Sequence, residues 1–304
     1  MGGAVGRSDA SRAQWFRRVG GRRRERIAFV FSGGGPLGAL QVGAVLALFD
    51  GGIRPDLLVG TSVGALNASF LAFDPTSNGG RALEAIWRGL TDDDLFPGGR
   101  FRAPWTKMLM RGDRVFESSG VARLIDDKLW PGARFEDALL PLGIVATDLE
   151  TGAEVVFTSG RIREPLMAST AMPSVFPPVE IDGRSYIDGG VSDNVPIKPA
   201  VDMGATTLYV MNATSHINKR RPLVRPMDYL LHAFTLARSQ RLSLDVEQYR
   251  ERVRLVMLPT ANLDFYVPFA SMDFTGRLIE ASYEQTRLFL EGLGEAEPPL
   301  ARAE

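Results

Sequence analysis

Between residues 26 and 73 the chain alternates short apolar runs with longer helical ones and never breaks the order. RIAFVFS (26–32) is rich in Ile, Val and Phe and stops at glycines, which marks a buried strand. LGALQVGAVLALFDGG (37–52) has the spacing of a buried helix halted by Gly51 and Gly52. DLLVG (56–60) reads as a second strand, and SVGALNASFLAF (62–73) as a second apolar helix ended by Pro75. Strand, helix, strand, helix in succession requires a parallel sheet covered on both faces. The expected fold class is α/β.

The remainder is more mixed. Residues 91–116 read as a long loop with short helical pieces, and SSGVARLIDDKLW (118–130) as a serine-capped helix. Residues 142–160 read as two strands around a turn at Glu150-Thr151-Gly152. EPLMASTAMPSVFPPV (164–179) is expected to be a short helix stopped by proline, and VEIDGRSYIDGG (179–190) a hairpin turning at Asp-Gly. ATTLYVMNA (205–213) and VRLVMLP (253–259) read as core strands. Residues 226–250 read as a long amphipathic helix, and about 268–291 as another. No repeat or linker divides the chain. One domain is expected over 26–292, between tails at 1–25 and 293–304 that are expected to be disordered.

Composition removes several chemistries. The 304 residues include no cysteine, so disulfides, thiolate metal sites and cysteine nucleophiles are excluded. His216 and His232 are the only histidines, too few for a histidine-rich metal site, so acid–base work falls to carboxylates. The net charge is −1, yet residues 1–26 hold eight arginines against Asp9 and Glu25. That tail fits a solvated segment. It also suits an anionic surface, membrane or nucleic acid, and Trp15 and Phe16 beside Arg17 and Arg18 favour the membrane. The apolar run after it is broken by glycines and a proline, unlike a signal peptide, and no stretch is long enough to span a bilayer. A cytoplasmic protein with peripheral membrane contact is expected.

SGGGPLG (32–38) follows the first strand and opens a helix. Gly33, Gly35 and Gly38 satisfy the dinucleotide fingerprint, but the second strand ends LLVGTS with no acid to hold a ribose. No Gly-Lys-Ser/Thr follows, which excludes a P-loop. The same glycines can turn consecutive amides into one concavity at a helix N-terminus, which suits the oxyanion of an acyl-transfer intermediate.

GTSVG (60–64) then places Ser62 between a strand and a helix, as a nucleophile elbow requires. A helix cap would also choose serine. Two bases are in view. His216 completes the order Ser62, Asp188, His216, but it lies in a polar loop, TSHINKRRP. Asp188, in YIDGG (186–190), ends a strand beside two glycines, and partial burial would raise its basicity. A turn aspartate capping its own backbone is the plain alternative.

Taken together, SGGGPLGALQVG, ASTAMPSVFPPV, GTSVGALNA and YIDGGVSDNVP resemble the patatin-like phospholipase family, from about residue 26 to 215. The resemblance implies a three-layer α/β/α fold with a mostly parallel central sheet. It implies a Ser–Asp dyad without histidine: Ser62 as nucleophile, Asp188 as base, and the amides of Gly33, Gly34 and Gly35 as oxyanion hole. The implied reaction is hydrolysis of a lipid acyl ester through an acyl-enzyme, with no cofactor or metal and no nucleic-acid partner. Leu37 departs from the family, in which many relatives carry Arg or Lys in this loop. FPGGRFRAPWTKMLM (96–110) has the composition of a lipid-facing flap or of a packed surface loop. A binding protein of the same fold, and a nucleotide-binding oxidoreductase, are the competing classes.

Overall fold

The computed structural model describes residues 24–95, 119–128, 132–173, 175–214, 226–261 and 271–296, with 263, 265 and 267. The basic tail through residue 23, the segment 96–118 and the His216 loop lie outside the described residues.

Strand β1 (Ile27–Phe31) is flanked on both sides by parallel strands, β2 (Leu57–Thr61) and β7 (Thr207–Met211). β3 (Leu142–Asp148) extends the parallel core beyond β2, and β8 (Arg254–Met257) extends it beyond β7. Three antiparallel pairings complete the sheet: β4 (Glu154–Phe157) and β6 (Arg184–Asp188) on β3, and β5 (Val179–Ile181) on β6. The β5–β6 turn is Asp182-Gly183, both at positive φ, as expected of an Asp-Gly hairpin.

Strand side chains alternate between two cores. Phe29, Phe31 and Leu58 pack on the face covered by α1 (Gly38–Asp50), α2 (Val63–Phe73), α3 (Ser77–Gly89) and α9 (Thr275–Ala296). Ala28, Val30, Leu57 and Val59 pack on the other face, with Ile197 and Ala200 of α7 (Ile197–Asp202) and Tyr249 of α8 (Pro226–Tyr249). The result is a three-layer α/β/α arrangement around a mostly parallel sheet. α4 (Asp92–Leu95), α5 (Ser119–Lys128) and α6 (Arg163–Ser169) complete the helices among the described residues.

Several elements differ from the sequence reading. α3 has no counterpart in it: Ser-Asn-Gly-Gly opens the helix and looks like a loop. Thr76 caps this start, its hydroxyl accepting from the amides of Asn78 and Gly79, and Leu83 and Trp87 are buried. The short α7 was likewise not anticipated. α6 ends at Ser169, four residues before Pro173, so it stops at its Thr170 cap and not at proline. α8 lacks a clean apolar stripe, because Tyr229, Leu236 and Leu244 are all exposed. α9 begins at Thr275, later than expected, and runs on to Ala296. At the other end Glu25 already joins the sheet, its carboxylate accepting from the Thr207 hydroxyl at 2.6 Å.

The register of β3 positions the site. Thr61 at the end of β2 pairs with Val145, and Asp188 at the end of β6 pairs with Ala146, the next residue. β4 occupies the other edge of β3 through residues 144–147. β2 and β6 therefore run toward one another along the same edge of β3 and meet end to end.

Candidate active site

Ser62 stands where β2 ends, half-buried, with φ 56° and ψ −127°. A non-glycine residue at positive φ carries strain that its surroundings must hold. Here the holding groups are clear. The Ser62 amide donates to Ser169 Oγ at 2.8 Å, and Ser169 Oγ in turn donates to the Val145 carbonyl at 2.6 Å. The turn is also very tight. A β-carbon at Gly60 would fall 2.3 Å from the Gly64 carbonyl oxygen, and one at Gly64 would fall 2.5 Å from the carbonyl oxygens of Phe31 and Ser32. Only glycine fits either position, so this strand–turn–helix has the tight geometry that a nucleophile elbow requires. Ser62 makes no side-chain cap bond to α2, so the helix-cap reading does not hold.

Its hydroxyl donates instead to Asp188 Oδ2 at 2.6 Å. The other carboxylate oxygen, Oδ1, accepts from the Gly190 amide at 2.7 Å, so the turn-cap reading of Asp188 is also present, on a separate atom. Asp188 is 3% exposed, and burial pushes its pKa up. The Ser62 hydroxyl, the Arg238 charge and the Gly190 amide act in the opposite direction. The contact is direct and leaves no space for an imidazole between the two side chains. His232 is exposed on α8, and His216 lies outside the described residues.

The glycine loop lies against the serine: a β-carbon at Gly33 would stand 3.2 Å from Ser62 Cβ. The three amides expected to point at an oxyanion do not all do so. Gly33 N–H already donates to the Asn194 carbonyl at 3.1 Å. The amides of Gly34 and Gly35 donate to no acceptor among the described residues, and neither does that of Val63 at the start of α2. The loop itself is held from behind by a buried polar chain. Trp87 Nε1 donates to Asn67 Oδ1 (2.8 Å), Asn67 Nδ2 to Gln41 Oε1 (2.9 Å), and Gln41 Nε2 to the Ser32 carbonyl (2.7 Å).

Four positions that the sequence reading did not single out matter here. Ser169 supports the elbow. Asp193 and Asn194 join the loops: the Asp193 carbonyl accepts from Thr61 Oγ1 at 2.9 Å, beside the Asn194–Gly33 bond. Their signal was a polar pair directly before the apolar Val195-Pro196-Ile197, and both are buried, 1% and 4% exposed. Arg238, from the middle of α8, donates through Nε to the Gly190 carbonyl at 2.7 Å, and nothing local in the sequence marks it. Asp193 Oδ2 and Glu154 Oε2 are both buried and meet no hydrogen-bond donor. Burial first, then the Glu154 carboxyl, pushes Asp193 well above the usual carboxylate range. The cations nearest Glu154, Lys198 Nζ and Arg241 Nη2, each stand 3.6 Å away. A proton on Asp193 removes the repulsion. Among the described residues no cluster of acids or histidine could hold a metal ion, and no helix is long and apolar enough to cross a membrane.

A family model described as patatin-like phospholipase matches residues 29–201, which hold the glycine loop, the elbow and the Asp188 strand. The chain belongs to the patatin-like phospholipase family. Among its relatives, patatin-like phospholipase domain-containing protein 6 of Mus musculus is 29% identical over 191 residues, covering 62% of this chain and 14% of the mouse protein. An NTE family protein of Mycobacterium bovis is 29% identical over 193 residues, covering 62% of this chain and 49% of that one. The patatin-like chain thus spans about half or less of the curated relatives it matches. VipD from Legionella pneumophila aligns with a TM-score of 0.48 at 16% identity, over 88% of this chain and 67% of its own.

Three outcomes follow from this geometry. Asn67→Ala strands the buried Trp87 and Gln41 groups and lowers stability by about 3 kcal/mol, read by denaturant unfolding. A base at Asp188 would act only when ionised, and burial raises its pKa, so activity resting on it would fall as pH drops through a value above the ordinary 3.8; the acid limb of kcat/KM against pH measures this. Asp193 in the folded protein keeps a proton that the unfolded chain releases. Its contribution is complete below about pH 4 and is lost as pH rises through the raised value. Asp193→Asn therefore narrows the difference in Tm between pH 5 and pH 8, and an unchanged difference would show that no proton is held there.

Proposed function

We propose that the protein hydrolyses acyl esters of lipids with a Ser62–Asp188 dyad. The direct 2.6 Å bond from Ser62 Oγ to a buried carboxylate, on a strained elbow, carries this reading. A carboxylate is a poor base in water; burial raises its basicity, and the preformed bond supplies proximity.

In the first half-reaction Ser62 Oγ attacks the acyl carbonyl carbon as its proton passes to Asp188 Oδ2. The intermediate's oxyanion meets the Gly34 and Gly35 amides, with the N-terminus of α2 adding favourable potential. Losing one such donor costs about 3 kcal/mol of transition-state stabilisation in comparable sites. Collapse breaks the ester C–O bond, and the departing alkoxide takes the proton back from Asp188. In the second half a water gives its proton to Asp188 and adds to the acyl-enzyme. Collapse then releases the carboxylic acid and returns the proton to Ser62. No step calls on a cofactor. The proposed substrate class is a phospholipid, lysophospholipid or related acyl ester, and we assign the hydrolase body to residues 26–292. The basic N-terminal segment is assigned a peripheral membrane contact.

A fluorophosphonate probe and short p-nitrophenyl esters test the dyad. Ser62→Ala is expected to abolish labelling, and Asp188→Asn to lower kcat/KM by about a thousandfold or more, the scale seen when a catalytic group of a serine hydrolase is removed. His216→Ala is expected to keep its activity. Full turnover by Ser62→Ala would refute the dyad, and a folded protein that neither labels nor turns over would indicate a binding role.

A further inference from the structure

Arg238 is the cation whose charge reaches Asp188 among the described residues. Its Nε is committed to the Gly190 carbonyl, and Phe234 lies beneath the guanidinium with 4.0 Å from Cζ to the ring centroid. Those two contacts fix the plane of the group. Nη1 and Nη2 donate to nothing among the described residues. Gly190 leaves space for this arrangement. A β-carbon there would fall 2.5 Å from Arg238 Nη2 and 2.9 Å from Asp188 Oδ1, so guanidinium and carboxylate stand about one small side chain apart. The stretch Gly33–Gly38 carries no charged residue, so the positive charge beside the dyad comes from α8 and not from the oxyanion loop.

The position of that charge tells which part of a substrate it would meet. The leaving alkoxide recovers its proton from Asp188 and must therefore lie on the Asp188 side of the scissile carbonyl. The acyl chain extends the other way. A group beside Asp188 consequently contacts the alcohol. A half-buried guanidinium with two free, co-planar donors and a fixed plane suits a phosphate, which accepts from such a fork in bidentate fashion. Burial disfavours the charge of Arg238 and Asp188 only partly offsets this, so a second anion would complete its surroundings.

The geometry points to Arg238 as the specificity-determining residue that selects esters bearing a phosphate on their alcohol portion over neutral esters of the same acid. This rests on the Ser62–Asp188 reading and deepens it from acyl ester to phosphate-bearing acyl ester.

A matched pair of soluble substrates tests it: 1-octanoylglycerol 3-phosphate and 1-octanoylglycerol, which differ only in the phosphate. Steady-state kinetics are taken on wild type, Arg238→Gln and Arg238→Lys, with circular dichroism to confirm folding. Wild type is expected to prefer the phosphate ester in kcat/KM. In Arg238→Gln that preference falls at least tenfold, mainly through KM for the phosphate ester, and Arg238→Lys recovers part of it by keeping the charge without the fork. Equal kcat/KM for the two esters in wild type would overturn the inference. So would a parallel loss on both esters in Arg238→Gln, which would make Arg238 a positioning residue for Gly190 and Asp188. If Arg238→Gln does not fold, Arg238→Lys decides alone: an undiminished preference overturns the inference. Fluorophosphonate labelling separates this from the dyad itself. Labelling that persists in Ser62→Ala refutes the dyad. Normal labelling at Ser62 without phosphate preference refutes only the role of Arg238.

Discussion

Everything at the site depends on two strands meeting head-on along one edge of β3. β2 delivers Ser62 from one direction and β6 delivers Asp188 from the other, and consecutive residues of β3 fix the gap between them. A slip of one residue in either pairing would move a strand end by about 3.3 Å and send its side chains to the opposite face. A hydrogen bond of 2.6 Å does not survive such a shift. The Ser62–Asp188 contact is therefore a property of the sheet, and the strain at Ser62 is the local cost of turning the chain before it meets β6.

The loops around the dyad are secured by backbone and buried polar groups. Thr61, Gly33 and the Asp188 loop are joined through the consecutive carbonyls of Asp193 and Asn194. Gln41, Asn67 and Trp87 hold the glycine loop from the opposite side. Fully bonded, such a network rigidifies a core, while a buried carboxyl pair without donors makes the same region sensitive to protons. The first holds in place the loop that carries the Gly34 and Gly35 amides, which donate to nothing among the described residues. The second lies one residue from the Asn194 carbonyl that takes the Gly33 amide out of that set.

Much of this was legible in the sequence, for identifiable reasons. The opening βαβα order, the Asp182-Gly183 hairpin and the elbow glycines are local signals, and each emerged within a few residues of its expected place. Asp188 came into view as a base from its strand end and its two glycines, and the family resemblance then joined it to Ser62 without histidine, since no local pattern joins residues 126 positions apart. α3 was hidden because its glycines look like a loop until packing against Asp74 and Phe49 is known. The bond made by the Gly33 amide was not legible because its acceptor, the Asn194 carbonyl, lies on a distant loop. Arg238 was invisible for the same reason: an arginine in a helix reveals nothing until the helix is laid across Gly190.

The head-on meeting of β2 and β6 also separates the parts of the chain that set the spacing of Ser62 and Asp188 from those that do not. Between α3 and β3 the described residues form α4 and α5 and bury Val121, Ile125 and Phe135 in the core, but they contribute no strand to the sheet. The length of chain between α4 and α5 therefore leaves the β3 register, and with it the distance from Ser62 to Asp188, untouched.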